Sequence, residues 1–206
     1  SDLRSYFLQT SFSKSKTLIK ALIFGGHEKT YQAYWGIDQD MLSKNRRYNS
    51  AGEIYDDSGN FENFYNNQVD NYKQDHIQIH WNQIFNNKLS SSISFNYTYG
   101  RGYYEEYNDK WKDENFSFSG MTSFSNLGLD NLVFGNDIIS SSDNVTRKWL
   151  ENDYYVITGN LQYNLRKLKM VYGFLASNYD GDHYGKLIWS RFASQGYPNQ
   201  EFYRNK

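Results

Sequence analysis

The chain has 206 residues, a formal net charge of −1, one proline and no cysteine. Near-neutral charge argues against the electrostatic footprint of a nucleic-acid binder, and the lack of thiols excludes disulfides, thiolate metal sites and a cysteine nucleophile. Aromatic residues make up 19 %, with 20 tyrosines, in a chain of negative mean hydropathy. Such rings suit strands, membrane interfaces and binding surfaces, where one end of the side chain is dry and the other wet.

In chain order, residues 4–12 (RSYFLQTSF) and 17–26 (TLIKALIFGG) flank Ser13-Lys14-Ser15-Lys16 and read as a first hairpin, about 4–26. The second arm alternates poorly: Ile19 and Ile23 fall on the face opposite Leu18, Leu22 and Phe24, so its context assigns it. A long connection, about 27–75, follows. Residues 76–85 (HIQIHWNQIF) and 89–101 then form a second hairpin around Asn86-Asn87-Lys88. After another long connection, about 102–153, residues 154–163 and 168–177 flank Asn164–Lys167 as a third hairpin. A last loop, about 181–206, opens near Gly181. β-Branched and aromatic content, period-two alternation and turn chemistry carry these assignments.

The clearest strand is LSSSISFNYTY, residues 89–99. Leu89, Ile93, Phe95, Tyr97 and Tyr99 share one face with Ser91, while Ser90, Ser92, Ser94, Asn96 and Thr98 form the other. A β-sandwich would turn the apolar face inward, whereas a membrane barrel would turn it to lipid. No apolar run reaches the length of a membrane helix, but a barrel needs only alternate apolar residues. The opening SDLRSYFLQT has no basic region followed by an apolar core, so no signal peptide is expected there.

The distribution of charge favours the barrel. Of 23 acidic residues, 9 lie in 27–75 and 10 in 102–153, against 9 of the 22 Lys and Arg. The short turns are basic, with Lys14, Lys16, Lys88, Arg166 and Lys167. Trp81, Phe85 and Tyr163 lie beside the short turns; Tyr97, Tyr99, Tyr154 and Tyr155 lie toward the long loops. Short turns at one end, long loops at the other and two aromatic girdles are the layout of an outer-membrane barrel. Six strands cannot close one, so the expected fold is all-β: an antiparallel up-and-down transmembrane segment of a larger barrel.

The stretches NRRYNSAGEIYDDSGN (45–60), DNYKQDHIQIHWNQIF (70–85), YTYGRGYYEEY (97–107), RKWLENDYYVITGNLQYN (147–164) and NYDGDHYGKLIWSRFAS (178–194) resemble the barrel of TonB-dependent outer-membrane receptors. The resemblance covers nearly all of the chain, in texture more than in motif. It implies a 22-stranded barrel with long extracellular loops, filled by a plug and coupled to the TonB complex. It implies the outer membrane of a Gram-negative bacterium as location, and lipid, the remaining barrel and a nutrient ligand as partners, with a surface lipoprotein as a further candidate. The ligand class would be a siderophore, vitamin, oligosaccharide or peptide. The plug and TonB box are not found in these residues.

No catalytic residue, metal site or cofactor is expected. Asp180-Gly181-Asp182-His183 lacks the length and terminal Glu of a calcium loop and reads as a hydrophilic strand end. His76 and His80 lie about 13 Å apart by strand rise, too far to chelate one ion. Glu105-Glu106 and Asp56-Asp57 are adjacent acids whose side chains point apart, unlike a glycosidase pair. Ligand-binding candidates are the loop aromatics and arginines Tyr34, Trp35, Arg46, Arg47, Tyr48, Trp111 and Trp189, with Trp149 beside them; loop packing is the competing role for each. The rival readings are a soluble secreted β-sandwich that binds carbohydrate and a passive porin-like barrel.

Overall fold

The computed structural model describes residues 1–116, 119–192 and 200–206. In chain order its elements are β1 (Asp2–Lys14), β2 (Thr17–Tyr31), α1 (Gln39–Lys44), β3 (Glu53–Tyr55), β4 (Phe61–Phe64), β5 (Val69–Ile84) and β6 (Leu89–Asn108). Then come α2 (Lys110–Phe116), β7 (Leu132–Phe134), β8 (Asp137–Ile139), β9 (Asn144–Leu165), β10 (Leu168–Ser190) and β11 (Glu201–Asn205). The protein is all-β and antiparallel. Its main sheet is a meander of seven strands in the order β1-β2-β5-β6-β9-β10-β11, with β3-β4 and β7-β8 as separate hairpins in the two long loops.

Three tight turns organise the sheet. Lys14 pairs with Thr17 and Leu165 with Leu168, leaving two-residue turns whose first residues, Ser15 (φ 51°) and Arg166 (φ 48°), take the left-handed conformation that such hairpins favour. Between β5 and β6 the Asn86 side chain accepts from the Lys88 and Leu89 amides at 2.8 and 3.1 Å. The polar residues that mark turns in the sequence act through these local bonds.

The strands are longer than the alternation indicates. β2 runs to Tyr31 and β5 starts at Val69, so the first loop is 32–68 and not 27–75; β6 and β9 extend to Asn108 and from Asn144, so the second is 109–143 and not 102–153. The extensions are built of charged and aromatic residues on both faces, a composition that conceals a period of two. The last loop also differs from expectation. β10 continues through Asp180–His183 to Ser190, and β11 returns to pair with it, Asn205 opposite His183 and Arg204 opposite Tyr184. The main sheet therefore has seven strands where six were expected. Ala193 and Ser194, the end of the 178–194 stretch, lie outside the described residues.

Register from β1 through β9 is unbroken, so each row of side chains crosses the sheet on one face. One row reads Thr10, Ala21, Ile79, Phe95, Ile157 and Ala176; the next reads Phe12, Ile19, Trp81, Ile93, Gly159 and Phe174. The other face carries Lys20, His80, Ser94 and Thr158 in one row and Leu18, Asn82, Ser92 and Asn160 in another. Its middle strands are tied by bonds such as His80 Nδ1 to Ser94 Oγ (2.8 Å), His76 Nδ1 to Thr98 Oγ1 (3.0 Å) and Ser92 Oγ to Asn82 Oδ1 (2.7 Å). The irregular pattern of β2 is now explained. It is apolar on both faces, and Phe24 on the polar side stacks on His76 at 4.5 Å.

The buried apolar core lies at the loop end. Phe124, Leu127 and Leu129 of the second loop close on Leu187 of β10, with Met121, Leu132, Ile139 and Phe202 packed around them. Nothing among the described residues covers the apolar face of the lower sheet: Ile77, Ile79, Phe95 and Ile157 remain 37–45 % exposed. β1 is exposed along its whole length and forms one free edge; β10 below His183 forms the other.

Candidate functional site at the loop end

Above the apolar band the strand tops and the two loops form a polar site. β6 turns Glu105 and Glu106 to opposite faces, and each acquires a cation from β9. Glu105 is 3 % exposed and takes Arg147 Nε at 2.6 Å on the apolar-face side. Its other oxygen accepts the Tyr65 hydroxyl (2.6 Å) and the Asn67 amide (2.5 Å), so one carboxylate clasps the end of the first loop to the sheet. Charge-assisted bonds of this kind are stronger than neutral ones.

Glu106 lies on the serine face. Its oxygens take Lys148 Nζ at 2.8 Å and the Tyr34 hydroxyl at 2.7 Å. Burial and this carboxylate raise the Tyr34 phenol well above its ordinary range, so it stays a donor. Trp35 stacks beside Tyr34 with ring centroids 4.8 Å apart and stays 41 % exposed. Opposite them Lys112 Nζ pairs with Glu53 at 3.0 Å. Asp109 accepts the Tyr55 and Lys112 amides at 2.8 and 2.9 Å, and burial holds its carboxyl above the usual range. These groups line a pocket of about 130 Å³. Below it on the same face, and sharing Lys148, is a second pocket of about 260 Å³ lined by Glu28, Asp70, Tyr72 and Tyr104.

Gly102 creates that lower space. A Cβ there would come within 2.3 Å of the Asn71 carbonyl and 2.7 Å of Tyr72 Cα, and one at Gly100 would meet the Tyr72 hydroxyl at 2.2 Å. Glycine at both positions lets the Tyr72 ring lie across β6.

The structure separates the seven candidates. Tyr34 and Trp35 line the upper pocket. Tyr48 hydrogen-bonds Glu53 and supports the pocket wall from behind. Trp111, in α2, stacks on Tyr55 of β3 at 5.1 Å with Gly59 against its indole and so joins the two loops. Trp189 is a strand residue and not the loop aromatic expected: it lies in β10 and stacks on Tyr107 of β6 at 6.4 Å. Trp149 is likewise in a strand, β9, where its ring lies between Tyr103 of β6 and Tyr184 of β10. Arg46 and Arg47 sit exposed in the turn after α1, away from the pocket lining. Sequence reading missed Glu53, Glu106, Asp109, Lys112 and Lys148 as members of one site. The visible signal was the opposed order of Glu105-Glu106 and Arg147-Lys148, a ladder of two ion pairs, but pairing β6 with β9 requires the register.

No protein-family model, curated protein or solved structure matches this chain. Both oxygens of Glu106 are already engaged, as are those of Asp109. The geometry suits recognition of a polar ligand beneath an aromatic rim, by hydrogen bonds and stacking.

Proposed function

We propose that this chain is a wall segment of a TonB-dependent outer-membrane receptor, part of a 22-stranded barrel that binds a nutrient at its outer mouth for import. One observation carries the reading: an apolar face runs across six strands in unbroken register below Leu187, and among the described residues no core covers it. A sandwich would cover Ile77, Ile79 and Phe95 with a second sheet. Lipid meets the same need. Leu89 to Tyr99 spans about 33 Å along β6 at a rise of about 3.3 Å, and a tilt near 40° converts this to about 25 Å, the height of a barrel's lipid band. Tyr97 and Tyr155, stacked at 4.8 Å, stand at the loop side of that band, with Trp81 and Phe85 at the turn side.

The rest of the reading follows from this placement. The serine face lines the lumen and contacts the plug; the edges of β1 and lower β10 pair with further barrel strands, because lipid supplies no hydrogen bonds. The loops are extracellular, and the Tyr34–Trp35 pocket belongs to the ligand path. The segment binds and does not catalyse. The test is topological. Single cysteines at Asp57 or Asn136 should react with an impermeant maleimide on intact cells, and one at Asn87, in a short turn, should react only after lysis. Equal labelling of all three in intact cells rejects the barrel.

A further inference from the structure

The acids of this chain stop at one level of the sheet. Asp75 pairs with Tyr99, Tyr99 with Asp153 and Asp153 with Asp180. Every other Asp and Glu lies in the loops or on strand segments nearer to them. On the turn side of that row the chain has no acid. It has Lys14, Lys16, Lys88, Arg166 and Lys167 at the turns, with Lys20 and Lys169 on the serine face. The five at the turns are exposed, and none of them makes an ion pair among the described residues.

These five form one rim. Lys14 belongs to the row Lys14, Thr17, Gln83, Ser91 and Leu161, next to the Phe12–Trp81 row and on the same apolar face. Lys16, Lys88, Arg166 and Lys167 occupy the turns themselves. The turns are joined through the backbone: the Ile84 amide donates to the Lys16 carbonyl at 2.8 Å, and the Asn164 amide to the Lys88 carbonyl at 2.8 Å. Successive turns are two strands apart, roughly 10 Å across the sheet, which is about one Debye length, so their fields overlap. Apolar side chains of the uncovered face border the same turns: Phe85, Leu165 and Leu168 are 40–54 % exposed.

Charge and apolar surface together select the partner. A second copy of the rim would set cations against cations. An acidic soluble protein would match the charge but leave the bordering apolar strip in water. An anionic lipid meets both, with acyl chains on the strip and phosphates on the rim. We infer that the turn end recognises anionic phospholipids, whose headgroup phosphates take Lys14, Lys16, Lys88, Arg166 and Lys167. This rests on the barrel reading, which supplies the membrane, and adds to it a headgroup preference.

The test uses the intact receptor to which this segment belongs, in a non-ionic detergent, mixed with equal amounts of phosphatidylglycerol and phosphatidylcholine. Native mass spectrometry counts the bound lipids of each kind. Phosphatidylglycerol should be retained in preference, and less so as salt rises. A basic residue at an anionic surface is worth about fivefold, so changing Lys16, Lys88 and Lys167 together to Gln should cut the preference about tenfold or more. Changing Lys44, Arg46 and Arg47 to Gln removes the same charge from the loop end and should leave it intact. Glu at the three rim positions should make phosphatidylcholine the preferred lipid, an outcome that misfolding cannot produce. The inference is overturned if the wild type retains both lipids alike, if the two glutamine variants behave alike, or if the glutamate variant still prefers phosphatidylglycerol. Binding of a polyglutamate peptide that the rim changes abolish, with the two lipids retained alike, would assign the rim to an acidic protein instead. Maleimide labelling is read separately: equal labelling in intact cells overturns both readings, whereas the expected labelling without a lipid preference overturns this one alone.

Discussion

Ile79 stands directly opposite Phe95 across the β5–β6 pair, and both side chains stay open, at 45 % and 37 %. On the other face of the same strands His80 and Ser94 are joined by a hydrogen bond. One strand pair therefore carries an open apolar face on one side and a hydrogen-bonded polar face on the other. Arg at Ile79 or Phe95 should cost about 2–4 kcal/mol in a barrel refolded into lipid, whereas Arg at Ser92 or Gln78 should cost far less. A folding titration in which Ser92→Arg is the more damaging change would place the faces the other way round.

That two-sidedness was legible because β5 and β6 alternate cleanly from His76 to Tyr99. The upper strands were not, for a physical reason. Above Tyr99 the apolar-face residues become Arg101, Tyr103 and Glu105, held by Asp75, Trp149 and Arg147, so hydropathy loses its period while the ladder continues. Asp180–His183 looked like a strand end for the same reason, although Asp182 lies within β10 and takes Arg204 at 2.8 Å. β11 is five residues long and made by its pairing with β10, which no local pattern announces. Of the site, the rim residues Tyr34 and Trp35 were legible as loop aromatics, and their carboxylate and ammonium partners were not, since they arrive from three separate segments.

Glycine-dependent packing gives a second prediction. Gly102→Ala would drive a Cβ into the backbone of Asn71 and Tyr72, while a Cβ at Gly173 meets nothing closer than 3.8 Å. The first change should destabilise the upper β5–β6 pair by about 1–3 kcal/mol, the usual cost of overpacking, and the second should be tolerated. Hydrogen exchange of the Val69–Asn71 amides would report the difference; equal protection in the two variants would contradict it.

Removing the Glu105 clasp should release the first loop. Glu105→Ala leaves the Tyr65 hydroxyl, the Asn67 amide and the Arg147 guanidinium without their shared acceptor, at a cost of roughly 2–4 kcal/mol. Arg147 is partly exposed and regains some solvation, which keeps the cost below that of breaking a fully buried pair. Limited proteolysis should then cut 32–68 faster while the lower sheet stays intact. Unchanged cleavage would mean that the β3–β4 hairpin is held by other contacts.

Asp109 predicts a pH dependence. Burial, aided by Asp143, raises its carboxyl pKa above 3.8 despite the backbone amides of Lys112 and Tyr55. An acid raised on folding contributes stability in its protonated form, present below the unfolded value and lost as pH rises through the folded one. Asp109→Asn has no such proton to lose. The ratio of variant to wild-type protection in 109–116 should therefore increase as pH rises across the interval just above 3.8. A ratio that is flat or falls over that interval would show that the hydrogen bonds to Asp109 outweigh its burial.

The final prediction separates recognition from packing among the loop aromatics. Trp35 is exposed at the pocket rim, while Trp111 is stacked on Tyr55 and confines Gly59. On the proposed receptor reading, Trp35→Ala should weaken ligand binding by about five- to 150-fold, the effect of losing a contact of about 1–3 kcal/mol, and leave thermal stability unchanged. Glu106→Gln should act in the same direction, because it removes the charge that holds Lys148 and orients the Tyr34 hydroxyl toward the pocket. Trp111→Ala should do the reverse, lowering the stability of the loops first and affinity only through them. Arg46→Ala and Arg47→Ala, outside the pocket, should change neither quantity by much. Ligand titration paired with a melting curve on each purified variant reads both at once. Strong binding loss at Arg46 or Arg47 with Trp35 silent would move the site from the strand tops to the turn after α1.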